Sequence, residues 1–202
     1  MSNWLHSFVL TFIPLFIVID SFGTLPFVLS LSAEMTPWER NKMVSIATAT
    51  ATGVGLVFLF LGQFILSVMG ISIGSFSVAG GILLLILSIR HMITGQMVDV
   101  VKEEMVAIVP VGTPLTVGPA TIVTLLLLAG QFPLYMVVLA FVLNMAIVFA
   151  VFLLGDRLAA FLGRGGLKAV SSVFSLLLAA IAVNMVIQGL DSIGVIDVNL
   201  SR

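Results

Sequence analysis

The sequence predicts an all-α polytopic membrane protein: six transmembrane helices in two inverted three-helix repeats, with spans 1 and 4 discontinuous. Three observations carry that prediction. Of 202 residues, 60% are hydrophobic and only 8% charged, where soluble domains carry about 25% charge. Six apolar stretches reach the roughly 20 residues needed to cross about 30 Å of hydrocarbon. Landmarks of the first half also recur in the second at a nearly constant offset. With a mean hydropathy of +1.30, the chain has too few charges to clothe a globule in water, so lipid is its solvent. A net charge of −1 offers nothing electrostatic to nucleic acid. The absence of cysteine removes disulfides and thiol redox chemistry.

The spans are expected at 5–31, 43–69, 73–95, 105–129, 132–155 and 167–189. "MSNWLHSF" supplies no basic stretch before the first apolar run and no small-residue cleavage site follows, so 5–31 reads as a retained span. "SAEMTPWERNK" (32–42), a Gly/Ser turn near Gly70, "GQMVDVVKEE" (95–104), a turn near Gly130 and "DRLAAFLGRGG" (156–166) connect the spans. No connection is long enough for a soluble domain, so 1–202 reads as a single membrane domain. Loops after spans 1, 3 and 5 hold Arg40, Lys42, Arg90, Lys102, Arg157, Arg164 and Lys168, seven of the eight basic residues. The positive-inside rule then places those loops in the cytoplasm and both termini outside.

The repeat is visible directly. "LFLGQFILSVMG" (59–70) lies over "FLLGDRLAAFLG" (152–163) at an offset of 93, and "SIRHMITG" (88–95) over "AVNMVIQG" (182–189) at 94. "DSFGTLP" (20–26) lies over "LTVGPAT" (115–121) at 95. The first repeat is 1–95 and the second 105–189. With three spans each, the copies enter the membrane from opposite sides, an arrangement recurrent in secondary transporters.

Spans 1 and 4 carry the helix breakers. Span 1 places Gly23 and Pro26 beside Asp20, Ser21 and Thr24; span 4, "VPVGTPLTVGPATI" (109–122), has Pro110, Gly112, Pro114, Gly118 and Pro119. Proline removes a backbone donor and clashes with the preceding turn. In lipid, the freed backbone groups must be covered by protein or line a cavity, so the two breaks should face each other. At about 1.5 Å per residue, Asp20 lies roughly 22 Å from Leu5 and Gly118 about 20 Å from Met105, a similar depth from opposite sides. Pro119 suits the first helical position with Gly118 as N-cap, and Thr24 is expected to cap the second half of span 1. The two helix starts would then point bare N–H groups at the midplane, fit for a carboxylate. Asp20 would take an ammonium or carry a proton. Together they describe a pocket for a small zwitterion.

Candidate binding residues are therefore Asp20, Ser21, Gly23, Thr24, Thr113, Thr116, Gly118 and Pro119, joined by Asn144 and Asn184 within spans 5 and 6; Asp20 is the proton-coupling candidate. Both amides have an alternative use in bonding neighbouring helices. Gly80 and Gly81 suit close helix approach. No metal or other cofactor is called for.

These motifs resemble the MarC family of six-span membrane proteins along nearly the whole chain. The resemblance rests on "IDSFGTLP" in span 1, on "PLTVGPATI" from Pro114, on "GGILLL" (80–85) and on "AIAVNMVIQG" (180–189). Many members have proline directly after the acidic or Asn residue of span 1, where this chain has Ser21. The resemblance implies inverted repeats with a substrate held between discontinuous spans 1 and 4. It also implies SnatA-like transport of glycine, alanine and similar small neutral amino acids, coupled to protons, in a prokaryotic cytoplasmic membrane. The alternative is a channel-like or non-transporting membrane protein. An enzyme is not expected: an aspartyl dyad needs two carboxylates and only Asp20 lies deep in a span, while His6 and His91 sit near opposite span ends. A drug-sized pocket would want aromatic lining, and the break offers Phe22 alone.

Overall fold

A computed structural model describes residues 2–94 and 116–196. Those residues form, in order, α1 (Ser2–Ile19), α2 (Ser21–Leu31), α3 (Pro37–Val68), α4 (Ile73–Thr94), α5 (Pro119–Gln131), α6 (Leu134–Leu153) and α7 (Gly155–Ser192). There is no strand among the described residues. Among the described residues, five helical segments are long and apolar enough to cross a membrane: Trp4–Leu31 counted through α1 and α2, Pro37–Val68, Ile73–Arg90, Leu134–Leu153 and Gly165–Ser192. The stretch expected to be span 4 contributes a shorter apolar helix, Ala120–Gln131. Its first part, 105–115, and the whole preceding loop, 95–104, lie outside the described residues.

Two expected boundaries move, each for a local reason. Helix α3 starts at Pro37, six residues before 43, because "TPWE" is a complete helix start. The Thr36 N–H donates to Glu39 Oε2 at 2.8 Å and the Glu39 N–H to Thr36 Oγ1 at 3.4 Å. Pro37 occupies the first position, where its missing N–H costs nothing. The expected loop 156–166 is mostly helix, since "DRLAAFL" is rich in good helix formers. The turn of direction is concentrated at Gly163, whose φ of 65° and ψ of 171° kink α7 there.

Helices α4 and α7 form the most extensive pairing. A Cβ on Gly81 would stand 2.7 Å from the Ala182 carbonyl oxygen, and one on Gly189 2.7 Å from that of Gly74. The absent side chains let the backbones approach, the usual means of packing where lipid supplies no hydrophobic drive between helices. Ser77 adds a bond to the Met185 carbonyl at 2.8 Å. Two clusters make up the core. One joins α1, α2, α3, α5 and α6 around Leu15, Leu25, Leu59, Leu125 and Phe141; the other joins α1, α4, α5 and α7 around Val18, Leu84, Val123 and Leu178. Helices α1, α5 and α7 contribute to both, α7 through Leu167 in the first.

The two ends of the bundle differ. At one, Arg40 pairs with Asp156 and donates to the Leu153 carbonyl at 3.1 Å, tying the start of α3 to the α6–α7 junction. Beside this pair lies a cavity of about 560 Å³ that includes Leu29, Ser32, Asn41 and Asp156 in its wall. At the other, the α3–α4 turn at Gly70 (φ 66°) leads to Ile73, which packs on Gly130. Gly74 there meets Ser192 and Ile193 at the end of α7.

Candidate functional site

The interruption of the first span is a single residue. Asp20 adopts φ 39° and ψ 60°, the left-handed region, and is the only non-glycine residue there among those described. Asp is one of the few side chains that visits this region, because its short polar group bonds locally. It does so here: Asp20 Oδ1 accepts the Gly23 N–H at 3.0 Å and so caps α2. This corrects the expectation that Gly23 and Pro26 break the span and that Thr24 caps it. Thr24 and Pro26 lie inside α2, and the Thr24 hydroxyl donates back to the carbonyls of Asp20 and Ser21, each at 3.2 Å. The α2 start is consequently not bare; a carboxylate of the chain itself occupies its positive end.

Asp20 is fully buried. Its second oxygen accepts the hydroxyl of Ser171, on α7, at 3.1 Å. That bond spans 151 residues of sequence and joins the break in span 1 to the last helix. Gly23 lies against both groups: a Cβ there would stand 2.5 Å from Ser171 Oγ and 2.8 Å from Asp20 Cγ. The glycine is thus needed for space, because carboxylate and hydroxyl already fill the volume a side chain would take.

The second helix start is built as the sequence suggests. Gly118 is the N-cap of α5, with φ −87° and ψ −175°, Pro119 occupies the first helical position, and no side chain caps the end. Behind it the Thr121 hydroxyl donates to the Thr116 carbonyl at 3.1 Å and that of Thr124 to the Ala120 carbonyl at 2.9 Å, all three threonines being buried. The last turn of α1 lies against this start: Leu15 and Ile19 share one core cluster with Val117, and Ile17 and Val18 share the other with Ala120. Among the described residues, the discontinuity after Ile19 and the start of α5 are therefore neighbours.

Of the sequence candidates, Asp20, Ser21, Gly23, Thr24, Thr116, Gly118 and Pro119 fall on these two helix starts. Thr113 lies outside the described residues. Asn144 is buried elsewhere. Its amide donates to the carbonyls of Phe12 at 3.3 Å and Ala140 at 2.8 Å, about 12 Å along α1 from Asp20 at 1.5 Å per residue. It joins α6 to α1. Asn184 is exposed on the outer face of α7, away from the breaks.

The site also contains residues the sequence argument does not single out. Ser171 is one. Its signal is the pair Ser171 and Ser175, one turn apart and both buried in an otherwise apolar helix, with Ser175 donating to the Ser171 carbonyl at 2.9 Å. Phe16 and Phe174 are others. With Phe22 they form a three-ring cluster beside Asp20 and Ser171, centroids 5.5 to 6.5 Å apart and rings edge to face. The break is thus more aromatic than Phe22 alone would make it. Phe16 ends a stack that runs up α1 through Phe12 and Phe8 to Trp4.

Comparison with known proteins fits this architecture. The family model described as "MarC family integral membrane protein" matches residues 5–193. A UPF0056 membrane protein of Archaeoglobus fulgidus is 31% identical over 202 residues, covering 94% of this chain and 95% of its own. One from Methanocaldococcus jannaschii is 29% identical, covering 92% and 97%. The UPF0056 inner membrane protein YhgN of Escherichia coli is 29% identical, covering 87% and 92%. No solved structure matches the chain significantly. With the family match running from the first span through the last helix, the chain belongs to the MarC family of integral membrane proteins.

Proposed function

We propose that this protein is a secondary transporter of small neutral amino acids, of the glycine and alanine class, working by alternating access in a cytoplasmic membrane. The observation that carries the reading is the buried Asp20, held in a left-handed turn between two half-helices and directly following the last turn of α1, whose Ile17 and Val18 share a core cluster with Ala120 at the uncapped start of α5. A chain selected only to sit in lipid has no use for a buried carboxylate at a helix break, and an ionisable group in that position is a functional site by default. The substrate carboxylate docks at the N–H groups of α5 behind Gly118, since the α2 start is already occupied by Asp20. The substrate ammonium goes to Asp20, the buried carboxylate at the break, which accepts from Gly23 and Ser171. Phe16, Phe22 and Phe174 limit the side chain that fits beside it. With Asp20 fully enclosed, the conformation described is a closed one.

Packing supports six spans in two inverted repeats. Gly62 and Gly155 correspond in the repeat, and each lies against leucines of the opposite half: Gly62 against Leu126 of α5, Gly155 against Leu25 and Leu29 of α2. A pseudo-two-fold axis requires that reciprocity. Likewise α3 packs on α5 as α6 packs on α2, and α4 on α5 as α7 on α2. The end of the bundle bearing Arg40, with the basic loops, faces the cytoplasm under the positive-inside rule, leaving both termini outside. The E. coli relative's inner-membrane designation agrees with this placement. Purified protein in liposomes should take up radiolabelled glycine or alanine saturably. Correctly inserted protein that moves neither, in either direction, would remove the reading.

A further inference from the structure

We propose that two copies of this chain associate in the membrane through the outer face of α7, with Asn184 meeting its own counterpart. The observation is independent of the transport reading. The buried face of α7 contains Ser171, Ser175, Leu178, Ala182 and Met185, and on the opposite side Val173, Leu177, Ala180 and Asn184 are all exposed. Those four follow one another at spacings of 4, 3 and 4, the seam of a left-handed helix pair, and Asn184 falls where an a position would lie.

Depth makes the amide significant. Exposed Lys168 and Asp191 mark the two ends of the membrane segment of α7, about 35 Å apart at 1.5 Å per residue, and Asn184 sits about 10 Å in from Asp191. Lipid there offers no hydrogen bonds. A hydroxyl in that setting can satisfy itself: those of Ser45, Ser67 and Ser172, all exposed, each donate to a carbonyl of their own helix. A primary carboxamide carries two donors and an acceptor, too many for its own backbone. It needs a partner with both.

A second copy is the occupant that geometry favours. Copies inserted with the same orientation are related by a two-fold axis along the membrane normal, so their α7 helices run parallel. Asn184 then lies at the same depth as Asn184 of the partner subunit, and a carboxamide is complementary to itself. Such isologous contacts are the commonest closed assembly, and a single Asn in an a position is a known device for fixing register and stoichiometry. Ala180, one turn away, lets the helices approach.

The chain has no cysteine, so single-cysteine cross-linking reads this directly. Ala180→Cys and Asn184→Cys, in membranes under mild oxidation, should each give a species of twice the 21.4 kDa chain mass. Val57→Cys, on the exposed face of α3, should not. Asn184→Leu, labelled for energy transfer in liposomes, should weaken dimerisation roughly 3- to 30-fold. Absence of the cross-link at position 180, or equal cross-linking at position 57, would overturn the proposal, as would unchanged association of Asn184→Leu.

Discussion

Asp20 performs three separable tasks, and three substitutions separate them. Alanine removes all of them. It loses tolerance of φ 39°, about 1–2 kcal/mol for a residue with a Cβ and no local bond. It loses the cap on the Gly23 N–H, about 0.5–2 kcal/mol. It also loses the charge-assisted bond from Ser171, about 1.5–3 kcal/mol. These contributions share one side chain and do not add fully, so a loss of about 3–5 kcal/mol is expected. Glycine restores the backbone freedom and should recover about 1 kcal/mol of that. Asparagine keeps the left-handed turn and a carbonyl oxygen for Gly23, and it can still bond the rotatable Ser171 hydroxyl. It should cost no more than about 1 kcal/mol. Thermal unfolding in detergent reads the series, at about 2–4 °C per kcal/mol for chains of this length. The expected order of stability is wild type, Asn, Gly, Ala, with Ala roughly 6–20 °C below wild type. Alanine as stable as asparagine would show that Asp20 holds neither the turn nor the cap.

Other substitutions probe the neighbours of that residue. Gly23→Ala forces a Cβ into the carboxylate and the Ser171 hydroxyl; destabilisation of about 1–3 kcal/mol is expected, and Ser171→Ala should relieve part of it in the double variant. Ser171→Ala alone should cost about 1.5–3 kcal/mol and clearly less once Asp20 is alanine, a coupling measurable by a double-mutant cycle. Gly81→Ala puts a methyl 2.7 Å from the Ala182 carbonyl and should lower the melting temperature by several degrees, whereas Gly53→Ala, which meets nothing within 4 Å, should not.

Five of the six expected spans were legible because lipid imposes a length and forbids charge, and both constraints appear residue by residue. The break in span 1 was legible for the same reason, since Asp, Ser, Gly and Thr stand out in an apolar run. Its exact residue was not. Gly23 and Pro26 have stronger general claims as breakers than Asp20, and only the left-handed turn at Asp20 itself, from which its side chain caps the following helix at Gly23, shows that the break comes earlier. Gly118 and Pro119 were readable because cap and first-turn proline are local chemistry. Ser171 was not, because what makes it part of the site is a contact 151 residues away. Asn184 shows the opposite failure. Its residue type suggests an inward role, but the face it occupies depends on where α7 packs, which the composition of an apolar helix does not encode.

The central claim is that Asp20 at the break takes part in moving a small zwitterion. Its most direct measurement is glycine or alanine flux into proteoliposomes, with and without an imposed proton gradient, for wild type and Asp20→Asn matched for insertion. Wild type should accumulate substrate when the gradient is applied, and Asp20→Asn should lose gradient-driven accumulation while still binding substrate. Equal flux from both proteins under every gradient would contradict the account.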